Sequence, residues 1–321
     1  MNRSFTIFEL VETIEDIPIK IPFKMILTKR HIKNKTYKKI LKKTPLKKSI
    51  INIMGIEGYR VQLPITTDII KEKDANYIKT IINSSVNDMI NEESILFIFP
   101  DELIGFVQEL EIPIVDGKLI PFLLLDQVIE KCCNVYPKKM KDIHFVLIDG
   151  QDTLTNYCID LIYSKINYLT IITDRASYYN EITEEIFQET GLIVEIIESP
   201  LLQKIESDII INCDNSQNKA FYFFNKNAFL IDFITQKESI RNILIKRKDL
   251  RVIDDLSYVV NNESIDSKLL QAIIFSQNRA LRSWMLYGYK SHMLDRINRL
   301  FSQYNVKISG LYQYGRKIEF N

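Results

Sequence analysis

Val146–Arg175 reads VLIDGQDTLTNYCIDLIYSKINYLTIITDR. Its apolar opening, extended back to Ile143, has the look of a short buried strand that ends at Asp149. Gly150 interrupts the run, and Asp152–Ser164 carries helical spacing. Tyr168–Thr173 is a second apolar strand, closed by Asp174–Arg175. Strand, turn, helix and strand in so short a stretch predict two parallel strands joined by a crossover helix.

The same rhythm continues outward. Asn180–Thr190 is a helix closed by Gly191, a residue suited to the left-handed C′ position. Leu192–Ile197, Asp208–Asn212 and Ala228–Phe233 are three further strands. Strands this apolar, spaced by helices, predict a parallel sheet covered on both faces. Upstream, Ser4–Val11, Ile17–Leu27 and Ile50–Pro64 are strand-like, the last with Gly55 and Gly58 as turn signals. Ile32–Lys43 suggests a short basic helix and Lys73–Asn91 a longer one. Then come a strand at Ile95–Phe99, a helix at Asp101–Leu110, a strand at Ile112–Val115 and an apolar helix at Leu119–Cys133. Beyond residue 260, Ser267–Gln303 is helical by its apolar period, with Gly288 as a divider. Val306–Phe320 alternates around Tyr314–Gly315 as a hairpin would.

At 321 residues the chain has room for two or three domains, and 46% hydrophobic with 26% charged residues excludes a disordered or collagen-like protein. Its longest strongly apolar run, Leu119–Leu125, contains Pro121 and is far shorter than the ~20 residues of a membrane span. Nine glycines are few for a protein built on several glycine-rich phosphate loops. The net charge of +1 hides an asymmetry: Lys24–Lys48 holds eleven Lys and Arg and no acid, so the remainder is acidic. Cys132, Cys133, Cys158 and Cys213 form no zinc spacing and fit a reducing cytoplasm. The N-terminus turns acidic where a signal peptide needs an apolar core, which points to a cytoplasmic protein.

The stretch from Val146 to Arg175, with the later SDIIINCDN, resembles the nucleotide-binding domain shared by shikimate dehydrogenases and glutamyl-tRNA reductases. The likeness spans roughly residues 142–260. It implies an α/β protein. Residues 1–141 would form an N-terminal mixed α/β domain and 142–260 a Rossmann-like doubly wound parallel sheet. Residues 261–321 would form a helical C-terminal part and terminal β-hairpin, packing on the N-terminal domain or an oligomer partner. It implies NAD(P) as the cofactor, with Gly150, Asp152, Asp174, Arg175, Cys213 and Asp214 around it. In that reading Asp174 accepts from a ribose hydroxyl, and Arg175 meets a 2′-phosphate or stacks on adenine.

The turn departs from the family pattern. GxGxxG needs its second glycine for close approach to the pyrophosphate, and from Gly150 that position is Asp152. A carboxylate about 5 Å from a phosphate costs roughly 3 kcal/mol at an effective dielectric of about 20, on the order of a hundredfold in affinity. Asp149, Asp174, Asp214 and Asp232 also fall at or just after strand ends, giving an acidic mouth relieved mainly by Arg175. Such a mouth suits a cationic, hydroxyl-rich or metal-linked ligand, or none. The opposing reading is that Asp152 caps its helix and the other aspartates are solvated loop residues.

Catalytic residues are not evident. His144 opens the first sheet strand, at the end away from the crevice, while His31 and His292 lie elsewhere. The chain has no HExxH, GxSxG or Walker A pattern. It also lacks the serine pair and lysine–aspartate arrangement of shikimate dehydrogenases, and it has no cysteine before Cys132. Cys132 and Cys133 fit packing roles, and Cys213 is either a small buried residue or a reactive thiol. The reading is therefore a dehydrogenase-like scaffold with a degenerate dinucleotide site and a non-catalytic binding or regulatory role. The alternatives are an active NAD(P)-dependent oxidoreductase, or a protein gripping nucleic acid or an anionic surface through Lys29–Lys48. A homo-oligomer fits each.

Overall fold

A computed structural model describes residues 4–12, 46–72, 75–198, 204–215 and 223–319. The strand expected at Ile17–Leu27 and the basic helix at Ile32–Lys43 lie outside them. The chain forms two compact units, one from residues up to Gly117 with Ser267–Arg279, the other from Lys118–Asp266 with the residues from Ala280 on. No helix among the described residues is long and apolar enough to cross a membrane.

In the first unit, β1 (Ser4–Leu10), β2 (Lys47–Ile53), β3 (Ile56–Leu63) and β4 (Ser94–Ile98) form one sheet in the order β2-β3-β1-β4. β2 and β3 are an antiparallel hairpin whose turn, Met54–Gly55, has two positive φ angles of 56° and 79°. That pair of angles is the twist-matched hairpin turn. β3 and β4 flank β1 in parallel, so the chain between them crosses over through α1 (Thr67–Glu72) and α2 (Ala75–Asn91). Tyr77, Ile78, Ile82, Val86 and Met89 of α2 recur at helical spacing and bury against Phe8, Val61 and Phe97.

The expected helix at Asp101–Leu110 is a 3-10 turn, Asp101–Leu103, followed by one turn of helix, α3 (Ile104–Val107). The expected strand at Ile112–Val115 contracts to a single bridge between Ile114 and Phe97. Pro113 has no N–H to extend that ladder.

In the second unit, α4 (Leu119–Leu123) and α5 (Leu125–Cys133) replace one long helix, because Leu124 leaves helical dihedrals. Then β5 (His144–Ile148), α6 (Leu154–Ile162), β6 (Tyr168–Ile172), α7 (Ala176–Thr190) and β7 (Val194–Ile197) alternate as the sequence predicts. Gly191 ends α7 at φ 76°. β8 (Lys204–Ile205) and β10 (Phe223–Phe224) make a two-residue parallel pair. β9 (Ile209–Asn212), β11 (Phe229–Ile231), α8 (Lys237–Lys246) and β12 (Arg251–Ile253) complete a six-stranded parallel sheet, order β12-β11-β9-β5-β6-β7. Numbered by first appearance, those strands run 6-5-4-1-2-3, the doubly wound dinucleotide-fold order. Val146, Ile148, Ile210, Leu230 and Val252 bury one sheet face with Ile240 and Ile243 of α8.

β13 (Asp255–Val260) then opens a four-stranded antiparallel sheet with β14 (Glu263–Ser264), β15 (Val306–Gln313) and β16 (Arg316–Lys317). The Tyr314–Gly315 turn of the C-terminal hairpin has φ 47° and 77°. Between these strands run three helices, α9 (Ser267–Gln277), α10 (Arg279–Tyr287) and α11 (Leu294–Gln303). Gly288 divides the last two at φ 82°. Within the first unit, α9 lies against β4 and β1.

Candidate functional site

β5 and β9 are neighbours, yet the chain leaves β5 toward β6 on one side and β9 toward β11 on the other. Ligands of such sheets bind outside the carboxyl ends of the strands at this switch point. The structure brings Asp149–Thr155, Thr173–Arg175, Cys213–Asp214 and Asp232 to that end of the sheet.

Asp149 extends β5 by one residue, its amide donating to the Ile172 carbonyl at 2.9 Å. Its side chain is fully buried. Arg175 grips it with a two-pronged bond, Nε to Oδ2 at 2.7 Å and Nη2 to Oδ1 at 2.8 Å. The hydroxyls of Thr155 and Thr173 donate to the two oxygens at 2.9 and 2.7 Å, and the Gln151 amide donates to Oδ1 at 3.1 Å. Burial works to raise the Asp149 pKa, but hydrogen bonds from Arg175 and its hydroxyl partners win and hold it at about 2. The same contact with Asp149 raises the Arg175 pKa. The guanidinium also lies over the Tyr178 ring, 4.3 Å from its centroid. Arg175 thus pairs with an internal carboxylate and stacks on an internal ring.

The other candidate residues are equally engaged. Gly150 passes directly over the end of β9: a Cβ built on it would stand 1.7 Å from the Cys213 carbonyl oxygen. This glycine therefore serves backbone-to-backbone contact across the switch point. Gln151 adopts φ 60°, and its side-chain amide donates to both oxygens of Asp174 at 2.8 and 2.6 Å. The Asp152 carboxylate takes the amide of Leu154, first residue of α6, at 2.8 Å. A helix start offers amides and partial positive charge to an anion, and here a side chain of the protein accepts one of them. The Asp214 amide and carbonyl close a turn on the Asn212 side chain at 3.0 and 2.9 Å. Asp232 is completely buried and receives Asn212 Nδ2 at 2.7 Å and the Thr235 amide at 3.0 Å. Of the five aspartates in the expected acidic mouth, Asp149 and Asp232 are buried in the framework. Asp174 stands at the exposed rim.

The sequence alone does not place Gly288 and Tyr289 at this end. The Tyr289 amide donates to Thr153 Oγ1 at 2.7 Å, and its hydroxyl donates to Asp160 Oδ2 at 2.7 Å. Tyr289 thus lies along α6 from its start to its second turn, packed on Tyr157 and Trp284. The one signal in the sequence is the glycine at 288; in the structure it has positive φ, and a Cβ on it would stand 2.7 Å from Thr153 Oγ1.

Elsewhere, His144 opens β5 and stacks on Tyr168 at 4.3 Å, at the amino end of the sheet. Cys132 is buried, and desolvation raises its pKa; Cys133 is half-buried, and desolvation pushes its thiol up to about 11. A cavity of about 500 Å³ opens beside Cys133, Met140, Lys139 and Lys165, before the strands β5 and β6 begin. Among the described residues no group of three or more His, Cys, Asp or Glu could hold a metal ion.

No family model matches the chain, and no curated protein matches it. Solved structures similar to it include L-tryptophan dehydrogenase from Nostoc punctiforme, at 11% identity and TM-score 0.34, covering 94% of this chain and 80% of that one. Ligand-free 5-ketofructose reductase of Gluconobacter sp. strain CHM43 is similar at 12% identity and TM-score 0.34, covering 93% and 99%. Shikimate dehydrogenase 1 from Peptoclostridium difficile is similar at 13% identity and TM-score 0.34, covering 93% and 97%. The fold of this chain rests on its own strand order: it is an α/β protein whose second unit carries a doubly wound parallel sheet.

Proposed function

We propose that the protein is a non-catalytic binding or regulatory protein on a dehydrogenase-like scaffold, with a switch-point crevice that does not take a dinucleotide unaided. The observation that carries this reading is the closed pairing of Arg175 with the buried Asp149. An incoming diphosphate would have to compete for that cation and also displace the Asp152 carboxylate from the Leu154 amide. Both exchanges oppose binding, by several kcal/mol when a buried carboxylate loses its counter-ion. The test is titration with NADH and NADPH, with and without magnesium, read by thermal shift and nicotinamide fluorescence. The expected result is no metal-free binding in the micromolar range. Tight metal-free binding of either coenzyme overturns the reading.

A second reading, an active NAD(P)-dependent oxidoreductase, is favoured by one observation. Asp174 stands after β6, where a ribose-binding acid belongs. The same titration separates the two, and Asp152→Gly adds a second arm. Where repulsion is the obstacle, this variant gains on the order of a hundredfold in coenzyme affinity.

A further inference from the structure

Two of the four cysteines meet inside the second unit. Cys158, fifth residue of α6, and Cys213, first residue after β9, place their Sγ atoms 3.7 Å apart. Both are buried, Cys158 fully and Cys213 at 3% exposure. They sit under the crevice, because the carbonyl of Cys213 is the group on which Gly150 rests. Neither takes part in the Asp149–Arg175 pairing.

We propose that Cys158 and Cys213 are an oxidisable dithiol, a modification site that takes a peroxide as its co-reactant and closes to an intramolecular disulfide. The Cys213 sulfur attacks one peroxide oxygen, the O–O bond breaks, and water leaves, giving a sulfenic acid. The Cys158 sulfur then attacks that sulfur, the S–O bond breaks, and a second water leaves with the Cys158 proton. Two thiols lose two electrons in all, and one peroxide becomes two waters. Cys213 is the attacking partner because it is the less buried of the two. A water-sized oxidant suits a site this enclosed. Bond formation draws the sulfurs to about 2.05 Å. Whatever share of that movement the Cys213 backbone takes up passes to the carbonyl under Gly150, so the dithiol lies where oxidation can act on the floor of the crevice.

The test uses the intact native protein. It is treated with hydrogen peroxide, its remaining thiols are alkylated, and it is digested without reduction. The expected result is a joined pair of peptides carrying Cys158 and Cys213, an intact mass lower by two hydrogens, and reversal by dithiothreitol. Cys158→Ser and Cys213→Ser each abolish the joined pair, whereas Cys133→Ser leaves it. The proposal is overturned when both residues are recovered alkylated after peroxide, when the pair forms only in denaturant, or when Cys213 joins a different cysteine. The wild-type mapping decides the matter even where a serine variant folds poorly.

Discussion

A methyl group on Gly150 would collide with a carbonyl oxygen that belongs to the backbone of another strand and cannot swing away. At Gly191 the surrounding space is open, and only the φ of 76° demands glycine. Gly150→Ala is accordingly expected to lose about 3 kcal/mol or to fail to fold, and Gly191→Ala only about 1 kcal/mol. Urea midpoints compared at constant m-value check the difference. Arg175→Met should cost roughly 3 kcal/mol in the same measurement, because it strands a buried carboxylate, and Arg175→Lys should cost less. Asp149 also sets a pH dependence. Its folded pKa of about 2 lies below the 3.8 of an ordinary aspartate. The stabilisation is therefore complete above pH ~4 and is lost as pH falls toward 2, roughly 2 kcal/mol in all. An acid titration of Asp149→Asn lacking that drop would agree; an unchanged acid limb would refute the assignment. The sequence shows both residues but not their pairing, since only the register of β5 on β6 brings positions this far apart together.

At the level of elements, the apolar strands of the second unit are legible because burial on both faces leaves almost no polar residue in them. β12 is not, being three residues, Arg251–Ile253, set among charges. It is recognisable only once β11 offers it an edge. α8 escapes for a related reason: its buried stripe is narrow, and Arg241 and Asn242 separate Ile240 from Ile243. The start of α6 comes two residues later than the sequence predicts: Thr153 holds the N-cap position without a side-chain bond, and the Asp152 carboxylate before it takes the Leu154 amide. Asp152→Ala is expected to destabilise the protein by about 1 kcal/mol through loss of the Leu154 amide partner. Thermal unfolding checks this independently of any ligand.

For the molecule as a whole, charge and chain path matter more than any single contact. Lys29–Lys48 lies almost entirely outside the described residues, so its role is testable only in solution. If it grips phosphates, binding to RNA or to anionic vesicles weakens steeply between 50 and 200 mM salt; binding indifferent to salt excludes that role. The chain path has its own outcome. α9 comes from beyond residue 266 but lies on β4 and β1, and β13 finds its partner β15 only near the C-terminus. Neither unit is a contiguous piece that a nascent chain could finish as it leaves the ribosome. The first must wait for Ser267–Arg279 and the second for the residues from Ala280 on, and until then each leaves part of its apolar core uncovered.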